Sequence, residues 1–510
     1  MDKHQHYDIV IIGAGLGGLL CGAILSKEGM KVCLVERNEQ IGGSLQTFRR
    51  NHVTFDTGIH YIGGLDKGQN LYKVFNYLGL TERLALKKMD ESGFDVILFK
   101  DDERQYVHGM GYENFIESLN QQFPDEKIAI INYCELIKQT CATIPLYNLK
   151  ANEHYDDVDA MELNAKEEIE KLTSNTTLRA VLAGSNMLYI GDGDKTPWNV
   201  HALIMNSYIE SSWRCEKTGE QIAKLLAKSI RAQGGTIRTK AQVNYIHEQD
   251  GEVKYIALAD GKQIAGKQFI SNLHPATTID MVDSPLLKSP YKTRIKSLEN
   301  SVSAFVLNIA MKPNSHRYTN RNYYFHESTD VWTETAYTQD SFPLTYGIFE
   351  AVPEKGGEYL EAVSIMTYMK WNEVRQWEDT YNNIIAPEDR GDEYKSFKKL
   401  KAEKILAKVA IKFPELVANI DSYYATTPLT YRDYLNTPNG SIYGIAKDCT
   451  NPIKTLISPT TKIPNLYLTG QNLKLHGVLG VALSAVVTCS AIVGREYLVN
   501  KIAVANEVGA

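Results

Sequence analysis

Three glycines near the start of the chain, Gly13, Gly15 and Gly18, stand in GxGxxG order directly after the apolar run Tyr7 to Ile12 (YDIVII). An apolar helical stretch follows, ending near Gly29, and Lys31 to Val35 (KVCLV) resumes a strand pattern closed by Glu36. The chemistry this spacing serves is the binding of a dinucleotide. Glycines let the backbone approach a pyrophosphate, whose charge is stabilised by unpaired N–H groups at the helix N-terminus, where Leu16 and Gly17 lie. A carboxylate at the end of the second strand accepts hydrogen bonds from the hydroxyls of an adenosine ribose. A second cluster, Phe55 to Gly64 (FDTGIHYIGG), sets an imidazole, His60, and a phenol, Tyr61, inside a mostly apolar run. Both groups can hold or pass a proton.

The segment behind Glu36 bears on which dinucleotide is bound. Arg37 to Ser44 (RNEQIGGS) brings a second glycine pair, Gly42 and Gly43, close after the acidic residue, a feature of flavoproteins. At the far end of the chain Asn465 to Gly470 (NLYLTG) reads as a strand closing on glycine. Gln471, His476, Gly477, Gly480 and Val481 follow at the opening of a small-residue helix, whose N-terminus can meet the pyrophosphate or the pyrimidine edge of a flavin. A middle segment returns to the same unit: Gln221 to Arg231 carries Ile222, Leu225, Leu226 and Ile230 on one helical face, then Gly234, Gly235 and a strand over Thr236 to Ile246.

Three stretches together, FDTGIHYIGG, the TPLTYRDYL of Thr427 to Leu435 with the GSIYG of Gly440 to Gly444, and the LTGQN of Leu468 to Asn472, carry a family resemblance. The chain resembles the flavin amine oxidase and phytoene desaturase superfamily, and within it the retinol saturase and carotenoid desaturase or isomerase branch. The resemblance covers most of the chain. It implies an α/β fold: a discontinuous Rossmann-like FAD-binding domain (residues 1–85, 215–290 and 455–510) under an α+β substrate-binding cap (86–214 and 291–454). It implies FAD bound noncovalently, with Val243 offering its backbone to the adenine and Gly58 and Ile59 beside the isoalloxazine. His60 and Tyr61 are then polar groups aimed at the reacting bond, with a backbone hydrogen bond under the flavin as the competing role for His60. His476 is a second candidate, and His201 and Tyr208 are either channel residues or parts of a packed helix. Many relatives carry an arginine after the second glycine pair; this chain has Ser44, and no phosphate-binding arginine is transferred.

The implied activity is hydride exchange between flavin N5 and a C=C or CH–CH bond of a hydrophobic polyene or isoprenoid-like lipid. Redox-neutral cis/trans isomerisation, amine oxidation and prenyl-lipid carriage are the alternatives on the same fold. The intact glycine and Glu36 set speaks against a carrier, which has no need of a pyrophosphate cradle.

The elements that must position these groups need a long chain, and 510 residues suit two or three folding units. Lys and Arg total 55 against 61 Asp and Glu, a net charge of −6 that argues against nucleic acid as a partner. Seven cysteines form no CxxC and no Cys/His set at metal spacing, so no metal site is expected and a reducing cytosol fits. The N-terminus reads as mature protein, its apolar run being broken by five glycines in a meaningful order. Gly477 to Gly494 is rich in small and hydroxyl residues and reads as a buried helix rather than a span of about 20 residues. Asp389 to Lys412 is a lysine-rich helix with Phe397, Leu400, Ile405 and Val409 expected along one side; it is either a solvated face or a peripheral contact with the inner face of a membrane. Tyr323, Tyr324, Phe325, Trp332, Tyr368, Trp371 and Trp377 concentrate in the cap, as an apolar ligand or an ordinary core requires. No second GxGxxG follows a strand after Gly18, so a separate electron donor or acceptor is expected.

Overall fold

The computed structural model describes residues 6–150 and 161–507. The first five residues of the N-terminal segment, and residues 151–160 and 508–510 of the expected domain ranges, lie outside the described residues.

Two seven-stranded sheets organise the chain. In the first, Thr236–Arg238, Val32–Val35, Tyr7–Ile12 and Gln263–Ser271 run parallel in that spatial order. On its edge away from Tyr7–Ile12, Gln263–Ser271 serves two further neighbours: its first half pairs antiparallel with Glu252–Leu258 and its second half parallel with Leu466–Leu468. Val243–Gln249 closes the antiparallel side. The single strand expected over Thr236 to Ile246 is therefore two. The chain leaves the parallel sheet at Arg238, turns through Lys240 (φ +54°), and enters the meander at Val243. The turn is held by the N–H of Ala241 on the carbonyl of Glu36 (2.8 Å).

The helices Leu16–Lys27, Glu220–Ala232 and Gly477–Val493 pack together against this sheet. The last of them is buried along most of its length, as its apolar sequence requires. Gly18 makes the first turn of Leu16–Lys27 fit: a Cβ there would stand 2.1 Å from the carbonyl oxygen of Gly13. Among the described residues no helix is long and apolar enough to cross a membrane.

The second sheet orders Ile420–Thr426, Ser303–Met311, Ala362–Met369, Thr345–Glu350, Asn322–His326, Asp95–Phe99 and Asp102–His108. Ser303–Met311 and Ala362–Met369 are buried at every position, so both faces of the sheet are covered. Register sorts the cap aromatics. Asp95, Asn322, Phe349 and Ser364 lie in one cross-strand row, and Ile97, Tyr324, Gly347 and Met366 in the next on the same face. Tyr323, Phe325 and Tyr346 point the other way, Phe325 stacking on Tyr346 at 4.6 Å. The strand Ser212–Cys215 pairs with both Ile62–Gly63 and Leu86–Lys88, and so sets the DTGIHY segment beside Arg214.

The lysine-rich helix spans Gly391–Lys412, and its buried stripe is Tyr394, Lys401, Ala402, Ile405 and Val409. Leu400 is 53% exposed rather than part of that stripe. At about 100° per residue it sits roughly 140° round the helix from Ile405. Lys401 takes the inward place, its ammonium paired with Glu373 and 4.0 Å from the centre of the Phe342 ring.

Candidate active site

The parallel strands of the first sheet end level. Ile12 pairs with both Val35 and Ser271, and Ser271 pairs with Leu468. Their loops therefore converge at one edge, the crevice outside the carboxyl ends of the strands. A cavity of about 1600 Å³, counting its open mouth, lies there.

Its wall contains Gly13, Gly15, Leu16 and Gly17 from the first loop, and Glu36, Arg37, Gly42, Gly43 and Ser44 from the second. Gly58, Ile59 and Val243 join them, as do Gly470, Gln471, Gly477 and Val481 from the C-terminal end. Gly18 and Gly480 stand behind the wall. Gly18 packs on the Gly13 carbonyl, and a Cβ at Gly480 would lie 2.5 Å from the carbonyl group of Leu475. His476 also backs the wall rather than forming it. Its ring stacks on Tyr443 at 4.1 Å and its Nε2 lies 2.8 Å from the Leu188 carbonyl oxygen. Burial lowers its pKa to about 4, so the imidazole is neutral.

These residues fit a flavin dinucleotide. Gly15 caps Leu16–Lys27 and His476 caps Gly477–Val493, both without a side-chain hydrogen bond and with no acidic residue in the first turn. The first N–H groups of two helices thus meet one cavity, each carrying about half a positive charge. The backbones approach as a cradle must: a Cβ on Gly17 would lie 3.0 Å from Cα of Gly470, and one on Gly43 3.1 Å from Cα of Gly15. Glu36 is buried, with Oε2 accepting from the N–H of Ala14 and Oε1 from that of Asn38, each at 2.9 Å. Burial raises its pKa against those two bonds. Each carboxyl oxygen keeps a lone pair for a ribose hydroxyl. Arg37 turns away and donates to the carbonyl of Asp433 (2.7 Å), which leaves the anion to the backbone dipoles.

Asn272 and Tyr443 are among the wall residues that sequence reasoning missed. Asn272 follows the strand Gln263–Ser271 and packs its amide under Gly15, Gly17 and Gly470. It belongs to no motif, because it reaches the site only through the pairing of that strand with Tyr7–Ile12. Tyr443 stands in GSIYG, the stretch that carried part of the resemblance, and lines the cavity beside the capping residue His476 of the helix Gly477–Val493.

At Ile59 the cavity meets a second cleft of about 2660 Å³, again counting its mouth. Phe55, His60, Tyr61, Phe349, Val352 and Val363 are among its lining residues, and Arg49, Lys87 and Glu361 lie there too. His60 and Tyr61 are on this cleft rather than on the dinucleotide wall. The His60 ring stacks on Phe349 at 4.4 Å and 10°. Burial, with the nearby Arg214 cation, lowers its pKa to about 4. Burial and that cation leave the ring a neutral donor or acceptor rather than a proton reservoir. Tyr61 differs. Its hydroxyl lies 3.0 Å from Asp95 Oδ2 and 2.7 Å from the Tyr324 hydroxyl, and its ring is 4.4 Å from that of Tyr208.

His201 and Tyr208 separate in role. Tyr208 faces Tyr61, whereas His201 is fully buried, with Nε2 2.8 Å from the Tyr133 hydroxyl and Nδ1 2.7 Å from the Tyr189 hydroxyl. It is a core residue, and burial lowers its pKa to about 3. The unfolded imidazole takes up a proton near pH 6.5, so stability is full above that pH and falls as pH drops toward 3. In denaturant titrations His201→Gln will therefore lose stability at pH 7 yet show a shallower acid slope than wild type, by roughly 1.4 kcal/mol per pH unit within that window.

A family model described as an NAD(P)-binding Rossmann-like domain matches residues 11–78. Over nearly its whole length the chain is similar to the all-trans-retinol 13,14-reductase of Homo sapiens, with 26% identity across 96% of this chain and 86% of that protein. It is similar also to the chloroplastic prolycopene isomerase of Daucus carota, with 24% identity across 95% of this chain and 80% of that protein. Among solved structures, a putrescine oxidase redesigned in its cofactor binding shares the fold, with a TM-score of 0.63 and 13% identity over 98% of this chain and 99% of that one. Two N-terminal helix dipoles over a level sheet edge, within this α/β fold, define a flavin-type oxidoreductase. The likeness to the reductase and the isomerase supports a retinol saturase and phytoene desaturase-like family within that class.

Proposed function

We propose that the chain is an FAD-dependent oxidoreductase that adds hydrogen to, or removes it from, a carbon–carbon bond of a hydrophobic polyene or isoprenoid-like lipid. The observation that carries this reading is Ile59, which lines both the dinucleotide cavity and a neighbouring cleft bearing Phe55, Tyr61 and Phe349. The reductase and isomerase named above support the substrate class. The cofactor, when bound, supplies hydride exchange at N5. This chain's residues do the rest: the N–H groups of Leu16 and Gly17 and the Glu36 carboxyl hold the dinucleotide, Phe55, Phe349 and Val363 supply the apolar part of an otherwise mixed cleft wall to the lipid, and Tyr61 meets the proton. A separate electron donor or acceptor completes the cycle.

Anaerobic mixing of chemically reduced, flavin-loaded protein with retinoids and carotenoids tests the reading. Flavin reoxidation with loss of polyene absorbance, and a product heavier by two hydrogens in the mass spectrum, is the expected result. The likeness to a prolycopene isomerase gives a second reading, redox-neutral cis/trans exchange. It predicts a product of unchanged mass and altered chromatographic retention. No change with any polyene, under reducing or oxidising conditions, would overturn both.

A further inference from the structure

Addition across a C=C bond needs a proton as well as a hydride, and one buried chain of hydrogen bonds ends on the cleft wall. Arg214 is 1% exposed and donates through NH2 to Asn322 Oδ1 (2.7 Å). That contact fixes the Asn322 amide, whose Nδ2 must then donate to Asp95 Oδ1, at 2.8 Å. With Oδ1 committed as an acceptor, a proton on Asp95 has one place to sit: Oδ2, the oxygen 3.0 Å from the Tyr61 hydroxyl. With that proton in place the hydrogen bonds run from a permanent cation toward the phenol; with Asp95 ionised the Tyr61 hydroxyl donates to Oδ2 instead. Tyr61 in turn lines the cleft and touches the Tyr324 hydroxyl at 2.7 Å.

We propose that Asp95, acting through Tyr61, supplies the proton for addition across a substrate C=C bond in the cleft and recovers it when the reaction runs toward desaturation. This rests on the functional reading above. As the new C–H bond forms, the Tyr61 O–H bond breaks and Tyr61 takes the proton from Asp95 Oδ2, leaving a carboxylate. The hydride for the neighbouring carbon comes from a two-electron reduced flavin. Water at the mouth of the cleft returns the proton. Tyr61 touches the substrate; Asp95 is a positioning residue that also stores the proton.

The surroundings suit that storage. Burial raises the pKa of Asp95 to about 7, opposed by its bonds to Asn322 and Tyr61 and by the Arg214 cation. Tyr324 and Tyr208 face it as neutral phenols, their pKa values pushed further up by burial. His108, opposite Asp95 in the ladder, is neutral, its pKa lowered to about 4 by burial, with Nε2 3.1 Å from the Val181 carbonyl oxygen. Below about pH 7 the folded protein thus keeps a protonated carboxyl.

Infrared difference titration of the purified protein reads that carboxyl whether or not it turns over. Wild type should show the carbonyl stretch of a buried, protonated acid that vanishes with a midpoint near 7. Asp95→Asn should remove the band, and Tyr61→Phe should keep it at a shifted frequency. In polyene reduction, Asp95→Asn should slow turnover about 100-fold or more at pH 6 and flatten the fall in rate above pH 7, as expected for loss of a general acid. Asp95→Glu should restore part of the rate with a displaced pH profile. A wild-type spectrum without a titrating band that Asp95→Asn removes overturns the proposal and leaves the functional reading standing. An unaltered pH profile in Asp95→Asn overturns it too. A band present in a protein that turns over no polyene overturns the functional reading, and with it the substrate of this proton.

Discussion

Gly15→Val yields a colourless protein. Gly15 has an extended backbone (φ −68°, ψ 173°) that any residue adopts, so the substitution imposes no backbone strain. What changes is the cradle. The new Cβ stands 2.9 Å from Asn272 Nδ2, and the γ-methyl groups beyond it occupy the wall of the dinucleotide cavity in front of the N–H groups of Leu16 and Gly17. Loss of that approach should weaken flavin binding at least about 100-fold, roughly 3 kcal/mol, enough to strip the cofactor during purification. Visible absorbance of the purified protein and calorimetric titration with FAD measure the effect, with far-ultraviolet circular dichroism as the check on folding. Gly18→Val is the contrast. Its Cβ would meet the Gly13 carbonyl oxygen at 2.1 Å, between strand and helix, and the result should be unfolded or insoluble protein rather than folded protein without colour. A yellow Gly15→Val protein would remove the pyrophosphate from this loop.

The difference between those two glycines shows where sequence is informative. The GxGxxG order says that a turn must be tight, that a backbone must be open and that a helix must pack closely. It does not say which glycine does which, and the structure assigns Gly15 and Gly17 to the cavity and Gly18 to packing. Glu36 and Gly470 were legible for a related reason, whereas Val243, expected inside one strand over Thr236 to Ile246, came only from the resemblance. The first two each stand at the end of a strand whose apolar run marks its limits, and strand ends of a parallel sheet face the same edge. Asn272 ends a strand too, but nothing in its neighbours marks it as facing a ligand.

The cleft was legible only in part. FDTGIHYIGG drew attention to His60 and Tyr61 as an equivalent pair. Their difference depends on partners far away in the chain: Phe349 covers the imidazole, while Asp95 and Tyr324 receive the phenol. Those partners are neighbours because of strand register in the cap, where Asn322 pairs with both Asp95 and Phe349. A shift of one residue in that register would turn Asp95 to the opposite face. Local pattern carries no information about such a choice. Arg214 was invisible for the same reason, since its partners come from residues 60, 321, 322 and 350.

Arg214→Met should be among the most destabilising single substitutions in the chain. The guanidinium donates through NH1 to the carbonyls of Glu350 (2.5 Å) and His60 (3.3 Å), and through NH2 to the carbonyl of Arg321 (2.8 Å) and Asn322 Oδ1 (2.7 Å). One planar fork thus ties the DTGIHY segment to two strands of the cap sheet at a point without solvent. Methionine fills a similar length and leaves four oxygen acceptors buried together, each having lost a charged donor. Asp95 and Glu350, whose pKa values the Arg214 cation pulls down against burial, also lose their nearest positive charge and shift further up. Removing one member of a buried charged network costs about 3–5 kcal/mol. Urea unfolding should show that drop in midpoint at pH 7, and hydrogen exchange should rise first over residues 56–63 and 320–324. Arg214→Lys should recover less than half of the loss, because an ammonium keeps the charge but cannot span acceptors spread around a fork. Stability of Arg214→Met within about 0.5 kcal/mol of wild type, the range of ordinary surface substitutions, would mean that the DTGIHY segment and the cap sheet are held together elsewhere and that Tyr61 and Asp95 meet without this clamp.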